Sequence, residues 1–147
     1  MNRKHLAFMV WFSMGAWGAF GMAPTYGFDT CTQQDAREAE TQVPTARSWD
    51  EIYRLYRTYG SCDDGAVAEG FSEAISLQLE GNWEATHRLN YLIRSDPKFL
   101  QFVVAHISAS VPIERLVRIE SNAGRSCSAD LRELCMAIRT AASAASK

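Results

Sequence analysis

From residue 48 onward, apolar side chains recur every three or four positions and are interrupted by short polar segments. This spacing places the apolar residues on one side of a helix, because an α-helix has about 3.6 residues per turn. None of the segments alternates apolar and polar residues as a half-buried strand does. The pattern therefore predicts an all-α fold, an irregular or orthogonal bundle of about five to six short helices in one domain over residues 48–147.

The first of these helices begins at Ser48 and stops before Gly60. Ser48 stands three residues before Glu51, the spacing at which two side chains can cap backbone N–H groups at a helix start. The apolar face of this helix is largely aromatic, and we assign it to the core because burial of such a face is what stabilises a short helix. Its members are Trp49, Ile52, Tyr53, Tyr56 and Tyr59.

A second helix start follows in the sequence "SCDD", residues 61–64. Ser61 and Asp64 have the spacing of a helix cap, and Asp63 beside Asp64 would lie in the first turn, where the helix dipole favours negative charge. We therefore predict that all three are capping residues. The alternative is that Asp63 and Asp64 are a pair of catalytic carboxylates. Such a pair needs two environments that separate the two pKa values, and neighbouring residues in an exposed first turn do not provide them.

The helix that follows, from about Asp63 to Leu79, has a wide apolar face that contains small residues. Gly70 lies within it, and glycine inside a helix costs nearly 1 kcal/mol relative to alanine, which indicates that another element packs closely there. We therefore place this helix at the centre of the bundle. The opposite face is acidic and has no basic residue; it carries Glu69, Ser72, Glu73, Ser76 and Glu80.

The first 27 residues have the layout of an export signal. Arg3 and Lys4 precede an uncharged apolar stretch, residues 6–22, and Thr25 and Gly27 supply small residues three and one positions before a processing site after residue 27. The alternative is a retained membrane anchor, because the stretch is only slightly shorter than the roughly 20 residues that span a bilayer. We predict a signal peptide over residues 1–27 that is cleaved, which gives a periplasmic or secreted protein without membrane association.

Residues 28–47 are nearly free of large apolar side chains. A segment of this composition buries little surface by itself. We predict a polar lead-in with at most one or two weak helical turns, tied down by Cys31.

All four cysteines follow the predicted leader. An even number of cysteines in an oxidising compartment predicts two disulfides. If the residues between Cys127 and Cys135 are helical, the Cα atoms are roughly 12 Å apart, whereas a disulfide spans at most about 7 Å. We therefore expect Cys62 to pair with Cys127 or Cys135, and Cys31 to pair with the other. Zinc binding is the alternative, but the sequence has no C-x-x-C pair.

Two histidines, His87 and His106, follow the leader and fall on different predicted helices. Neither has a partner at the spacing that metal ligands need. A metal site or a general base is therefore not predicted, nor is any cofactor.

Charge is distributed unevenly along the chain. After residue 27 there are 13 basic and 17 acidic side chains, and the segment between Arg57 and Arg88 has six acids and no Lys or Arg. This balance disfavours nucleic-acid binding, which needs a basic patch. Residues 88–147, by contrast, hold nine basic and five acidic side chains. One interpretation is that these solvated faces of opposite charge compensate each other. The other is that the acidic face with Glu69, Glu73 and Glu80 steers and docks a basic protein partner.

The runs "CDDGAVAEGFSEAI", "DPKFLQFVVAHI", "NAGRSC" and "LC", within residues 59–138, resemble a group of short exported helical bacterial proteins without an established activity. The resemblance implies an exported helical domain and transfers no catalytic residue. In size, signal and cysteine content the chain is also similar in type to periplasmic immunity proteins that neutralise interbacterial toxins.

These observations predict a non-enzymatic exported binding protein, with an inhibitor or immunity protein for an envelope-acting toxin as its specific form. One alternative is a small envelope hydrolase that uses Asp63 and Asp64. Another is an envelope structural or stress protein in which the opposite charges only balance.

Overall fold

The computed structural model describes residues 30–147, and this part of the chain is all α-helical, with no β-strand. The signal peptide predicted over residues 1–27 lies outside the described residues. Within residues 30–147, no helix has both the length and the apolar character needed to cross a membrane. The helices are α1 (Gln33–Gln42), α2 (Trp49–Tyr59), α3 (Gly65–Gly81), α4 (Thr86–Ser95), α5 (Lys98–Ala105), α6 (Ile113–Arg125) and α7 (Arg132–Ala145).

Helix α1 is longer than the one or two turns expected of a polar lead-in. The Thr32 hydroxyl accepts a hydrogen bond from the Asp35 N–H at 3.1 Å, and the Asp35 carboxylate accepts one from the Thr32 N–H at 3.2 Å. This reciprocal cap satisfies two free donors at the helix start. Ala39 and Val43 are fully buried, so the segment joins the core through small side chains. The expectation that it buries little was therefore wrong.

Helix α3 contacts α1, α2 and α6 and is the central helix of the bundle. A Cβ atom at Gly70 would lie 3.1 Å from Pro44 Cγ and 3.3 Å from Val43 Cγ1. The absence of a side chain at Gly70 therefore lets the 3-10 turn Val43–Thr45 approach the helix closely.

The aromatic face of α2 packs in the core against α5. The rings of Tyr53 and Phe99 have centroids 5.0 Å apart, and the rings of Tyr56 and Phe102 have centroids 4.6 Å apart. Phe71 of α3 meets Phe102 edge to face at 4.8 Å. Aromatic pairs at such distances contribute beyond their buried area. This cluster joins α2, α3 and α5.

The disulfides join Cys31 to Cys62 and Cys127 to Cys135. Two bridges form, as expected, but the predicted pairing was wrong. Cys127 is followed by an extended residue, Ser128, and by a 3-10 turn, so that α7 begins only after this turn. Because the intervening chain is not one continuous helix, the Cα atoms of Cys127 and Cys135 are 6.1 Å apart, within the reach of a disulfide.

Candidate functional site

The start of α3 is capped by Asp64, which accepts a hydrogen bond from the Gly65 N–H at 2.8 Å. Ser61, predicted as a cap, lies instead in the preceding 3-10 turn Gly60–Cys62. The helix starts later than the spacing suggests, because Cys62 is buried and its disulfide holds the preceding turn. Asp64 therefore does the capping alone.

Asp63 turns away from the helix start and contacts His106, just after α5. The imidazole Nε2 lies 2.9 Å from Asp63 Oδ1, and Nδ1 lies 2.8 Å from the carbonyl oxygen of Phe102. A carbonyl oxygen can only accept, so Nδ1 carries a proton, and a second proton lies between Nε2 and the carboxyl group. The role assigned to Asp63 as a cap was therefore wrong: it is the partner of His106.

The Asp63–His106 pair does not form a reactive centre with Asp64. His106 is 4% exposed, and both of its ring nitrogens are engaged. Asp64 is at the helix cap, and no cysteine among residues 30–147 is free. The two neighbouring carboxyl groups therefore serve separate contacts.

The acidic face of α3 is divided by its contact with α6. In the half nearer the end of the helix, Arg115 Nε lies 3.0 Å from Glu80 Oε2 in an ion pair that lacks hydrogen-bond geometry, and Arg118 also pairs with Glu80. Arg115 Nη1 donates to Glu73 Oε2 at 2.5 Å, and this hydrogen bond is the main cause that raises the pKa of Arg115. Glu80 is thus committed to an internal contact, contrary to its expected role in partner binding.

The other half of this face remains open and lines a groove of about 410 Å³. The far wall is the segment between α5 and α6, which includes Ser110 and Val111. Glu69 is exposed and has no ion pair within the described chain. Ser72 is 7% exposed, and its hydroxyl has no hydrogen-bond partner among residues 30–147. We call this site the acidic groove; its lining residues are Glu69, Ser72, Glu73, Ser110 and Val111.

The second histidine, His87, does not line the acidic groove. His87 Nδ1 is 3.4 Å from Asp130 Oδ2, and both side chains are largely exposed. They border a separate, shallow depression of about 300 Å³ beside Tyr91 and Arg94. Residues 30–147 contain no group of three or more His, Cys, Asp or Glu side chains that could hold a metal ion.

Helical spacing in the sequence places Ser72 on the same face as Glu69 and Glu73, and the structure brings all three to the groove. The sequence analysis missed the opposite wall of the groove. Ser110 comes from a distant segment, and no local signal connects it with α3. Comparison of the chain with protein-family models, curated proteins and solved structures gave no match.

Proposed function

We propose that the chain is a non-enzymatic exported binding protein that docks a basic protein partner at the acidic groove. An inhibitor or immunity protein for an envelope-acting toxin is the specific form we favour. The observation that carries the proposal is the groove itself, in which the exposed carboxylate of Glu69 has no ion pair within residues 30–147 and lies beside the half-exposed Glu73.

Two disulfides support a location outside the cytoplasm. All four cysteines are bridged, and disulfides form and persist in oxidising compartments such as the periplasm or the cell exterior. An envelope-acting toxin would be met in the same compartment.

The division of the acidic face supports a basic partner. Glu80 is neutralised by α6, whereas Glu69 has no ion pair in the described chain and Glu73 remains half exposed despite its contact with Arg115. The charge of Glu69, which no ion pair neutralises, attracts a partner of opposite sign and accelerates the encounter. The open half of the face is therefore the part suited to docking.

The hydrolase alternative has one observation in its favour, the Asp63–His106 pair. Both ring nitrogens of His106 are already hydrogen-bonded, however, so neither is left to take a proton from a reacting group. Asp64→Asn would distinguish the two functions. Loss of a hydrolytic activity without loss of thermal stability would favour the hydrolase over the binding protein.

The structural or stress protein is the second alternative, and the ion pairs between α3 and α6 favour it. Arg115 and Arg118 show that part of the charge asymmetry is compensated within the molecule. This alternative predicts that no specific partner is recovered and that a deletion alters envelope integrity.

The proposal is tested by affinity capture with the tagged chain from envelope extracts of the source organism. The captured partner is identified, purified and titrated against wild-type protein, Glu69→Lys and Glu84→Lys. Glu84 is an exposed acid outside the groove and is the matched control. We expect Glu69→Lys to weaken binding by about tenfold or more, since like charges across an interface cost several kcal/mol. Unchanged affinity of Glu69→Lys for a genuine partner would remove the acidic groove from the proposal.

A further inference from the structure

We infer that the shallow depression beside helix α4 binds a pyranose ring of a neutral saccharide. We call it the α4 depression; its lining residues are His87, Asn90, Tyr91, Arg94, Ser95 and Asp130. It shares no lining residue with the acidic groove, so saccharide binding there would be a second function, separate from the docking of a protein partner.

Both sides of the α4 depression belong to fixed elements of the fold. Residues 87, 90, 91, 94 and 95 lie on one face of α4, at the three- and four-residue spacing that stacks side chains along a helix. Asp130 comes from the 3-10 turn Ala129–Leu131, which contacts α4. The Cys127–Cys135 disulfide spans this turn. A ligand that binds here therefore has little of the protein to order.

The ring of Tyr91 is exposed, and a neighbouring cation holds it in place. Tyr91 is 60% exposed, and the guanidinium carbon of Arg88 lies 4.7 Å from its ring centroid. Arg88 is itself held by hydrogen bonds to Asp50 at 2.5–3.1 Å. Arg88 does not line the α4 depression, so the part of the ring that faces the depression is free for a ligand.

A pyranose ring is complementary to an open aromatic face. The C–H groups on one face of the sugar carry partial positive charge because they are bonded to carbons that bear oxygen, whereas the face of an aromatic ring is negative. Stacking of the two rings leaves the sugar hydroxyls at the periphery. These hydroxyls are then available to the polar side chains around Tyr91.

Two of these polar side chains have no partner within the described chain. The Asn90 amide and the Arg94 guanidinium form no hydrogen bond or ion pair within residues 30–147. The carboxylate of Asp130 adds acceptors, and its side chain is 64% exposed. A sugar hydroxyl both donates and accepts, so neighbouring hydroxyls can bind these planar groups through two hydrogen bonds at once.

The charges in the α4 depression favour a neutral ligand over an ion. The positive Arg94 and the negative Asp130 line the same depression. Asp130 Oδ2 lies 3.4 Å from His87 Nδ1 and remains largely exposed. A phosphate would meet the Asp130 carboxylate and an ammonium group would meet Arg94, and contacts between like charges are unfavourable. Hydroxyl groups can bind both side chains without such repulsion.

The size of the depression is appropriate for a short saccharide. Its volume is about 300 Å³, at the lower end of the range for ligand sites. A shallow site with an exposed ring covers only part of a sugar, so we expect binding in the millimolar range.

The test is an amide-resolved NMR titration of the chain at neutral pH and constant ionic strength. The probes are two neutral saccharides that differ in linkage and substituents, N,N′,N″-triacetylchitotriose and maltotriose. We expect at least one of them to shift amides of α4 and of the Ala129–Leu131 turn, and the tighter binder identifies the preferred saccharide type. The absence of shifts there with both saccharides would overturn the inference.

Variants of the exposed residues separate stacking from other contacts. Tyr91→Ala is expected to weaken binding by about fivefold, whereas Tyr91→Phe keeps the ring and is expected to bind within about twofold of the wild type. Arg94→Ala is expected to weaken binding by about fivefold or more through loss of a hydrogen bond to a charged group. Val117→Ala changes a comparably exposed apolar residue outside the depression and is the matched control. Saccharide binding that Tyr91→Ala leaves unchanged would overturn the inference.

Charged probes test the preference for a neutral ligand. Inorganic phosphate and the zwitterion glycylglycine, at the same concentration as the saccharides, are expected to leave the amides of the α4 depression unshifted. Shifts there as large as those that the saccharides cause would overturn the inference. Glu69→Lys is expected to weaken partner binding and to leave saccharide binding unchanged, so failure at the α4 depression and failure of the proposed function are distinguishable.

Discussion

The carboxyl group of Asp63 and the imidazole of His106 are 2.9 Å apart, although 43 positions of sequence separate them. Their contact joins the segment before α3 to the end of α5, directly beside the disulfide at Cys62. The rings of Phe71 and Phe102 surround the imidazole, with centroids 5.6 and 4.3 Å from it. The pair is therefore a buried polar contact that fixes two segments of the bundle.

Removal of the Asp63 carboxyl group is expected to destabilise the protein. Asp63→Ala leaves Nε2 of the buried His106 without its partner, and an unsatisfied buried polar group costs about 1–3 kcal/mol. Urea unfolding followed by circular dichroism measures the change. NMR of the imidazole nitrogens is expected to show Nδ1 still protonated, since Phe102 continues to accept from it. A variant as stable as the wild type would show that the contact contributes nothing.

The two disulfides are expected to contribute unequally to stability. The Cys31–Cys62 bridge closes a separation of 31 residues and the Cys127–Cys135 bridge one of 8. In the chain-entropy model the longer loop stabilises by about 1 kcal/mol more. Unfolding of the double variants Cys31→Ala/Cys62→Ala and Cys127→Ala/Cys135→Ala measures the difference.

The same pairing is testable directly by peptide mapping. Mass spectrometry of the digested, unreduced protein is expected to yield one linked peptide pair for each bridge. A peptide that links Cys62 to Cys127 or Cys135 would contradict the pairing in the structure.

Two glycines of α3 are expected to respond in opposite ways to alanine. At Gly70 the new methyl group would meet Pro44 and Val43 at 3.1–3.3 Å, and overpacking of about 1–3 kcal/mol exceeds the gain in helix propensity. At Gly81 nothing lies within 4 Å, so alanine is expected to stabilise by up to about 1 kcal/mol. Thermal unfolding of Gly70→Ala and Gly81→Ala measures both effects, and a stabilising Gly70→Ala would contradict the close approach of the Val43–Thr45 turn.

The two arginines that α6 directs at α3 are expected to differ in importance. The Arg115 side chain is 15% exposed and bonds both Glu73 and Ser76, so Arg115→Ala is expected to cost about 1.5–3 kcal/mol. The Arg118 side chain is 57% exposed, and Arg118→Ala is expected to cost less than about 1 kcal/mol. Chemical unfolding of the two variants compares them. Equal losses of unfolding free energy in the two variants would show that burial does not determine the strength of these contacts.

Acid is expected to weaken the contact between α2 and α4. The Arg88 side chain donates to Asp50 at 2.5–3.1 Å, and these hydrogen bonds lower the pKa of Asp50 below its ordinary value of 3.8. A lowered pKa in the folded state means that the stabilisation is complete above the ordinary value and is lost as the pH falls through the folded-state value. The wild type is therefore expected to have a larger free energy of unfolding than Asp50→Asn at neutral pH, and this difference is expected to disappear in strong acid.

A double-mutant cycle with Asp50→Asn and Arg88→Gln isolates this pair from other acid-sensitive groups. The coupling energy is expected at neutral pH and not at acidic pH. A coupling energy that does not change with pH would contradict the assignment.

The positions and buried faces of α2 and α3 followed from local sequence rules. Ser48 caps α2, and Trp49 and Ile52 lie in the core as helical spacing predicted. These rules succeed because capping and amphipathic spacing involve residues only three or four positions apart. The sequence analysis underestimated the length and burial of α1. The burial of this segment depends on Gly70 in α3, because the missing side chain there lets the Val43–Thr45 turn pack closely.

Three features were decided by contacts between distant segments. The bend after Cys127 allows a disulfide that a continuous helix would forbid. Asp63 forms a hydrogen bond with the imidazole of His106 and does not cap the start of α3. The arginines of α6 neutralise Glu80 and leave Glu69 open at the groove. In the sequence these acids look equivalent, because charge and helical register are local properties, whereas the partner of each carboxylate depends on which remote side chain the folded chain brings beside it.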